Sequence, residues 1–285
     1  RRGLNLGIIQ GAFALFGLAL GPIIATQLVE LVPSWRIVFG IVAIPGLVIA
    51  VLMYFVLREP TFVPAINDQP KPQVSWVSLF GFHNVRIAMP AIFCAMSGLF
   101  VIGSLTPVFL TDVIGLSGTQ MGFVMSGLGF GGFLGQIAIC GISDVLGRRT
   151  TAVAAFFLAA VSLVLLTIYA QTPLMLFMLL FSSAFFCCGV IALIAGPLAG
   201  EAVPASIASG AMGLVVGSGE IFGGGVAPSV AGFIAQHAGL PTAFLTIAAV
   251  LSFGGLLSLF FRETARRAVA RVNAGSQPIA EAAAQ

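Results

Sequence analysis

Residues 120–142 read QMGFVMSGLGFGGFLGQIAICGI, residues 143–150 SDVLGRRT, and residues 151–170 TAVAAFFLAAVSLVLLTIYA. Both outer stretches lack Asp, Glu, Lys and Arg, and each is about as long as a helix needs to cross the ~30 Å hydrocarbon core. The short link between them carries Asp144, Arg148 and Arg149. A soluble helical hairpin would show a charged face on both arms, and these arms have none. Two membrane spans joined by a wetted turn is the reading that fits.

The rest of the chain repeats this pattern. Eight spans are expected, at Gly7–Val29, Ile37–Leu57, Ile87–Leu110, Gln120–Ile142, Thr151–Ala170, Leu174–Leu198, Ser206–Ile234 and Pro241–Phe261. Only the seventh holds a charged residue, Glu220. Of the 285 residues 59% are hydrophobic and 7% charged, against about 25% charged in a soluble domain. The expected fold class is therefore all-α and integral to the membrane, embedded in the lipid bilayer.

Basic residues orient the spans. Eleven of the 12 fall on the side that holds both termini, and Arg36 alone falls on the other. Basic loops stay cytoplasmic, so both ends are expected inside a multi-pass cell membrane protein. The four cysteines sit in or at the ends of apolar runs, as small buried hydrophobes. His83 and His237 are expected outside the spans and form no cluster. No metal, cofactor or nucleic-acid partner is expected.

Residues 58–86 contain Pro60, Pro64, Pro70 and Pro72, as an extended cytoplasmic linker would. Trp76, Leu79, Phe80 and His83 then recur at helical spacing, as in a short helix lying on the membrane. The linker divides residues 1–57, the last two helices of one bundle, from residues 87–261, a six-helix bundle; residues 262–285 form a cytoplasmic tail.

An internal repeat runs across this division. Gly7, Gly11, Gly17 and Pro22 match Gly213, Gly217, Gly223 and Pro228 at an offset of 206, and Arg58-Glu59-Pro60 matches Arg262-Glu263-Thr264 at 204. Both copies run in the same direction, and parallel duplication is a transporter design with the solute bound between the halves. By symmetry, four helices of the first bundle are expected before Arg1, making twelve in all.

Against this frame the link at Asp144-Val145-Leu146-Gly147-Arg148-Arg149 resembles the loop signature of the major facilitator superfamily, with Cys140 where that signature has a glycine. Gly17-x3-Gly21-Pro22, Trp35-Arg36-x2-Phe39 and Arg58-Glu59-Pro60 are similar to other features of that family. The resemblance implies a secondary transporter working by alternating access. It implies symport of a small organic acid or related metabolite with protons, or a drug or metabolite antiporter as the alternative. It makes Asp144, Gly147, Arg148 and Arg149 a gating latch between the halves. A membrane enzyme would need a nucleophile and base, or a metal cluster, at one depth, and the spans offer one carboxylate and no histidine. A channel would need a filter-like ring of charges, which is absent from the sequence; a non-transporting scaffold is the remaining alternative.

Three further sets of residues stand out. Gly127-x-Gly129-x2-Gly132 imitates a dinucleotide fingerprint, but no strand precedes it. Gly127, Gly131 and Gly135 instead have the four-residue spacing of close helix packing. Gly17, Gly21 and Pro22, with Gly223 and Pro228, are hinge or packing candidates, since proline removes a backbone hydrogen bond. Glu220 lies fifteenth of 29 residues in its span, at a depth where an ionisable group is costly and usually functional. It is the candidate for proton coupling or solute contact, with a hydrogen bond between helices as the structural alternative.

Overall fold

The computed structural model describes residues 2–57, 76–169 and 172–265. Among these, eight helices are long and apolar enough to cross a membrane: α1 (Asn5–Leu31), α2 (Trp35–Val56), α3 (His83–Val113), α4 (Gly118–Leu146), α5 (Arg148–Tyr169), α6 (Pro173–Glu201), α7 (Ala205–Ala238) and α8 (Leu240–Ser258). Each corresponds to one expected span. The histidines differ from expectation: His83 opens α3 and His237 sits in the last turn of α7, bonded to the Phe233 carbonyl at 2.9 Å. A helix finishes its last turn for its own hydrogen bonds, so its ends run past the apolar run that marks the hydrocarbon. Trp76–Gly81 is a 3₁₀ turn whose Leu79 is buried. Residues 58–75 of the expected linker, and the tail from 266, lie outside the described residues.

Glycine decides where the helices approach. A methyl group on Gly127 would lie 2.7 Å from the carbonyl oxygen of Phe177, and those on Gly131 and Gly135 would run into the Phe181 and Phe185 carbonyls. One row of α4 is thus pressed against the backbone of α6, while Phe177, Phe181 and Phe185 stack down the seam. The dinucleotide-like spacing is packing. On the other side of α4, Gly129 meets α1 at the peptide joining Leu18 and Ala19, and Gly122 meets Pro22 and Thr26. Without a hydrophobic force between helices in lipid, such close dispersion contact is the main source of cohesion.

The contacts among α3, α5, α7 and α8 use the same device. Gly98 of α3 abuts Leu251 of α8, Gly254 of α8 abuts Phe156 of α5, and Gly219 and Gly223 of α7 abut Met96 of α3. Ser162 and Ser182 hydrogen-bond between α5 and α6 at 2.8 Å. By contrast, α2 leaves nearly its whole apolar surface uncovered.

Four π-helical turns interrupt the spans, each within two residues of a proline: Ala14–Leu20 before Pro22, Phe109–Val113 after Pro107, Ile194–Leu198 around Pro197, and Glu220–Val226 before Pro228. A proline ring crowds the carbonyl four residues back. For Pro22 and Pro228 those carbonyls belong to Leu18 and Gly224, inside the widened turns. The repeat seen in the sequence is therefore a repeat of backbone geometry. Helix Arg2–Phe13, π-turn Ala14–Leu20 and the restart at Gly21 recur as Ala208–Gly219, Glu220–Val226 and Ala227, every boundary displaced by 206.

Candidate functional site

Two places carry chemistry: a node of charges where four segments meet, and the carboxyl of Glu220. The node is built on the turn between α4 and α5. Gly147 ends α4 with φ +106° and donates its N–H to the Ser143 carbonyl at 3.1 Å. That conformation favours glycine, since a Cβ would be strained there. The turn sets Asp144 one helical turn before Arg148, and their ion pair measures 2.6 Å.

Arg148 is only 3% exposed and spends its whole donor set. Its Nη2 and Nε donate side-on to Glu201 at the end of α6, at 3.0 and 3.3 Å, and Nη1 donates to Ser143 Oγ at 2.5 Å. A planar fork suits this two-oxygen grip in a way an ammonium cannot. An acid near a helix C-terminus, as Asp144 is, faces the negative end of the dipole; the guanidinium offsets that cost.

A third acid closes the node. Glu263, in the strap that follows α8, accepts from the backbone N–H of Arg148 at 2.8 Å and of Arg149 at 3.2 Å. It thus caps the start of α5, where a negative group is favoured. It also accepts from the N–H groups of Thr264 and Ala265 at 3.0 and 2.9 Å, and Thr264 Oγ1 donates to Glu201 at 2.9 Å. The strap is fixed at its other end by Asn84 of α3, which exchanges two 2.9 Å hydrogen bonds with the Arg262 backbone. The ends of α4 and α6, the start of α5 and the strap are locked together.

Sequence reasoning singled out Asp144, Gly147, Arg148 and Arg149, and the structure brings them together, with the Arg149 side chain exposed. It missed Glu201, Glu263, Ser143 and Asn84. One signal was available: Glu263 belongs to the Arg262-Glu263-Thr264 segment that the duplication picks out. The described contacts of Arg148 run to α4, α6 and the strap rather than to residues 2–57.

Glu220 is not part of this node. It begins the π-turn of α7, sixteenth of the 34 residues in Ala205–Ala238, about 22 Å along the helix from Ala205 at 1.5 Å per residue. Its side chain is exposed. No other Asp, Glu, Lys, Arg or His in the described spans lies so far from a helix end. Behind the same turn, a cavity of about 140 Å³ is lined by Phe93, Ser97, Val226, Val230, Thr246 and Val250, among others. Both of its hydroxyls are committed to their own helices, Ser97 to Phe93 and Thr246 to Thr242, at 2.8 Å, so it offers a polar solute little. Gly17 lies exposed in the first π-turn and Gly21-Pro22 restart that helix, with Thr26 Oγ1 donating to the Pro22 carbonyl at 2.9 Å. Gly223 is buried against Met96 and Ser97, and Pro228 is half-buried beyond it.

Apolar spans, a duplicated proline-broken helix and charges gathered at the helix ends define a polytopic α-helical membrane protein of duplicated design. The sequence profile of the Major Facilitator Superfamily matches residues 1–117 and 88–283. The chain belongs to that superfamily. It is similar to the Probable 4-methylmuconolactone transporter of Cupriavidus pinatubonensis, 28% identical over 258 residues that make up 87% of this chain and 58% of that protein. It is also similar to the uncharacterized MFS-type transporter YbcL of Bacillus subtilis, 26% identical over 157 residues, 55% of this chain and 38% of that one. The crystal structure of the Escherichia coli fucose:proton symporter superimposes with a TM-score of 0.58 at 20% identity, over 81% of this chain and 55% of that one, a likeness of fold. The chain thus spans little more than half the length of the first relative.

Proposed function

We propose that this protein serves secondary active transport of a small solute by alternating access, as a symporter that couples uptake of a small organic acid or related metabolite to protons. Membership of the superfamily supports transport, and the relative described as a probable 4-methylmuconolactone transporter supports the solute class. The observation that carries proton coupling is Glu220, a carboxyl at mid-span on a helix whose backbone is already broken by a π-turn and Pro228. Dry surroundings favour the neutral acid and wet surroundings the carboxylate, so a group that alternates between them takes up and releases a proton. In this reading the Asp144–Arg148 node is a gating element that holds one access state together.

The test is uptake of radiolabelled 4-methylmuconolactone by cells or proteoliposomes under an imposed pH gradient. Glu220→Gln is expected to insert normally, to lose accumulation against a gradient, and to keep downhill exchange. A Glu220→Gln protein that still concentrates solute with unchanged pH dependence removes Glu220 from the coupling role. Proton-driven efflux is the alternative reading, and the same assay separates the two by the direction of net movement.

A further inference from the structure

The cavity behind the π-turn of α7 belongs neither to the charge node nor to the Glu220 carboxyl. Its inner wall is buried: Ser97 of α3, Ala231 of α7, and Ala243 and Ile247 of α8. Its rim is exposed, at Val226 and Val230 of α7 and at Thr246 of α8. The space exists because Ala231 and Ala243 face it from two helices with a single methyl group each. Among the described residues none that lines it is charged. A buried water needs several polar partners, and the hydroxyls of Ser97 and Thr246 are already spent on the Phe93 and Thr242 carbonyls. A dry apolar cavity of about 150 Å³ takes a benzene-sized guest instead, and this one measures about 140 Å³.

Depth names the guest. The α8 part of the lining, Ala243 to Val250, lies about 5–15 Å from the Leu240 end of that helix at 1.5 Å per residue. That is within one leaflet, half of a hydrocarbon core ~30 Å thick. A rim exposed at this depth meets lipid chains. The wall on α7 is the one in need of support. Val226 closes the π-turn and Ala227–Ala231 rebuild the helix around Pro228, so the pocket lies against the stretch whose hydrogen-bond ladder has just shifted. We propose that this pocket binds the end of one phospholipid acyl chain from the leaflet on the Leu240 side, and that the chain props the broken stretch of α7 against α3 and α8. A helix of a second copy, ~10 Å across, is too thick to enter, and a polar solute finds no uncommitted hydrogen-bond partner there.

The test is photolabelling in phosphatidylcholine vesicles that hold the full-length protein and a trace of phosphatidylcholine with a diazirine on one acyl chain. Carbenes insert readily into O–H bonds, which makes Ser97 on the buried inner wall the reporter. In the unmutated protein Ser97 is expected to be labelled from a diazirine near the end of the chain and not from one beside the glycerol; labelling from both or from neither overturns the site. Val161 and Leu245, exposed in the open groove between α5 and α8, report lipid that merely surrounds the protein. Ala243→Leu fills the pocket from α8 and is expected to abolish the Ser97 label while those two keep theirs, and a Ser97 label that survives overturns the site. Should Ala243→Leu fail to fold, Ala231→Leu fills the pocket from α7. The prop is read separately. Stripping lipid with detergent is expected to lower the thermal midpoint of the unmutated protein more than that of Ala243→Leu, and an equal drop in the two overturns it. Neither readout depends on transport, since the pocket can hold a chain whether or not Glu220→Gln still accumulates solute.

Discussion

Replacing Arg148 by methionine tests whether the node holds the bundle together. The substitution keeps much of the apolar stem and removes a guanidinium that is bonded to Glu201 at 3.0 and 3.3 Å, to Asp144 at 2.6 Å and to Ser143 at 2.5 Å. An exposed pair would contribute about 0–1 kcal/mol, whereas leaving buried charges unpaired costs about 3–5 kcal/mol. The two carboxylates keep 20% exposure each, which puts the expected loss at the low end, about 3 kcal/mol or roughly a hundredfold in the unfolding equilibrium. Arg148→Lys keeps the charge and loses the fork, so about 1–2 kcal/mol is expected from the lost charge-assisted bonds. Adding Glu201→Gln to Arg148→Met removes one orphaned carboxylate and is expected to restore about 1–2 kcal/mol, the coupling typical of groups in one network. Unfolding titrations of the purified protein in mixed micelles measure all three variants against Arg149→Met, whose side chain is exposed. If Arg148→Met costs no more than Arg149→Met, or if Glu201→Gln makes the loss worse, the node is not what joins these helix ends.

Other outcomes follow from the same geometry. Gly131→Ala is expected to destabilise by about 1–3 kcal/mol through overpacking against Phe181, while Gly103→Ala, with nothing within 4 Å, is neutral; equal thermal stability of the two in detergent contradicts the close α4–α6 seam. Reporter fusions are expected to read outside at Asp112 and His237 and inside at Lys71 and Arg148, and an inside signal at His237 breaks the order of the spans. Asp144→Asn is expected to slow solute movement with equilibrium binding nearly unchanged, because the node lies at the helix ends; a large fall in affinity at an unchanged maximal rate sends the assignment back to solute contact.

The spans were legible because the bilayer imposes one demand on every helix that crosses it, about 20 apolar residues. Their ends were less so, since polar residues such as His83, Asn84 and His237 extend a helix beyond the hydrocarbon at no cost. The duplication was legible through Gly and Pro because those residues mark the backbone: Pro22 and Pro228 each force the ladder to shift, and the two π-turns before them coincide at the offset of 206. The charge node was legible only where it is local. Asp144 and Arg148 lie one turn apart on continuous chain, and spacing alone puts them in reach. Glu201 and Glu263 reach Arg148 from 53 and 115 residues away, and no periodicity in a single sequence announces a partner at that distance. Glu220 shows the same limit in another form. Its depth is a count of residues, but its face is a run of small residues that reads equally as a tight seam or an open vestibule. In the other copy the same positions, ending in Ala14 and Ala19, are closed on α4, whereas Gly213 and Glu220 stand exposed.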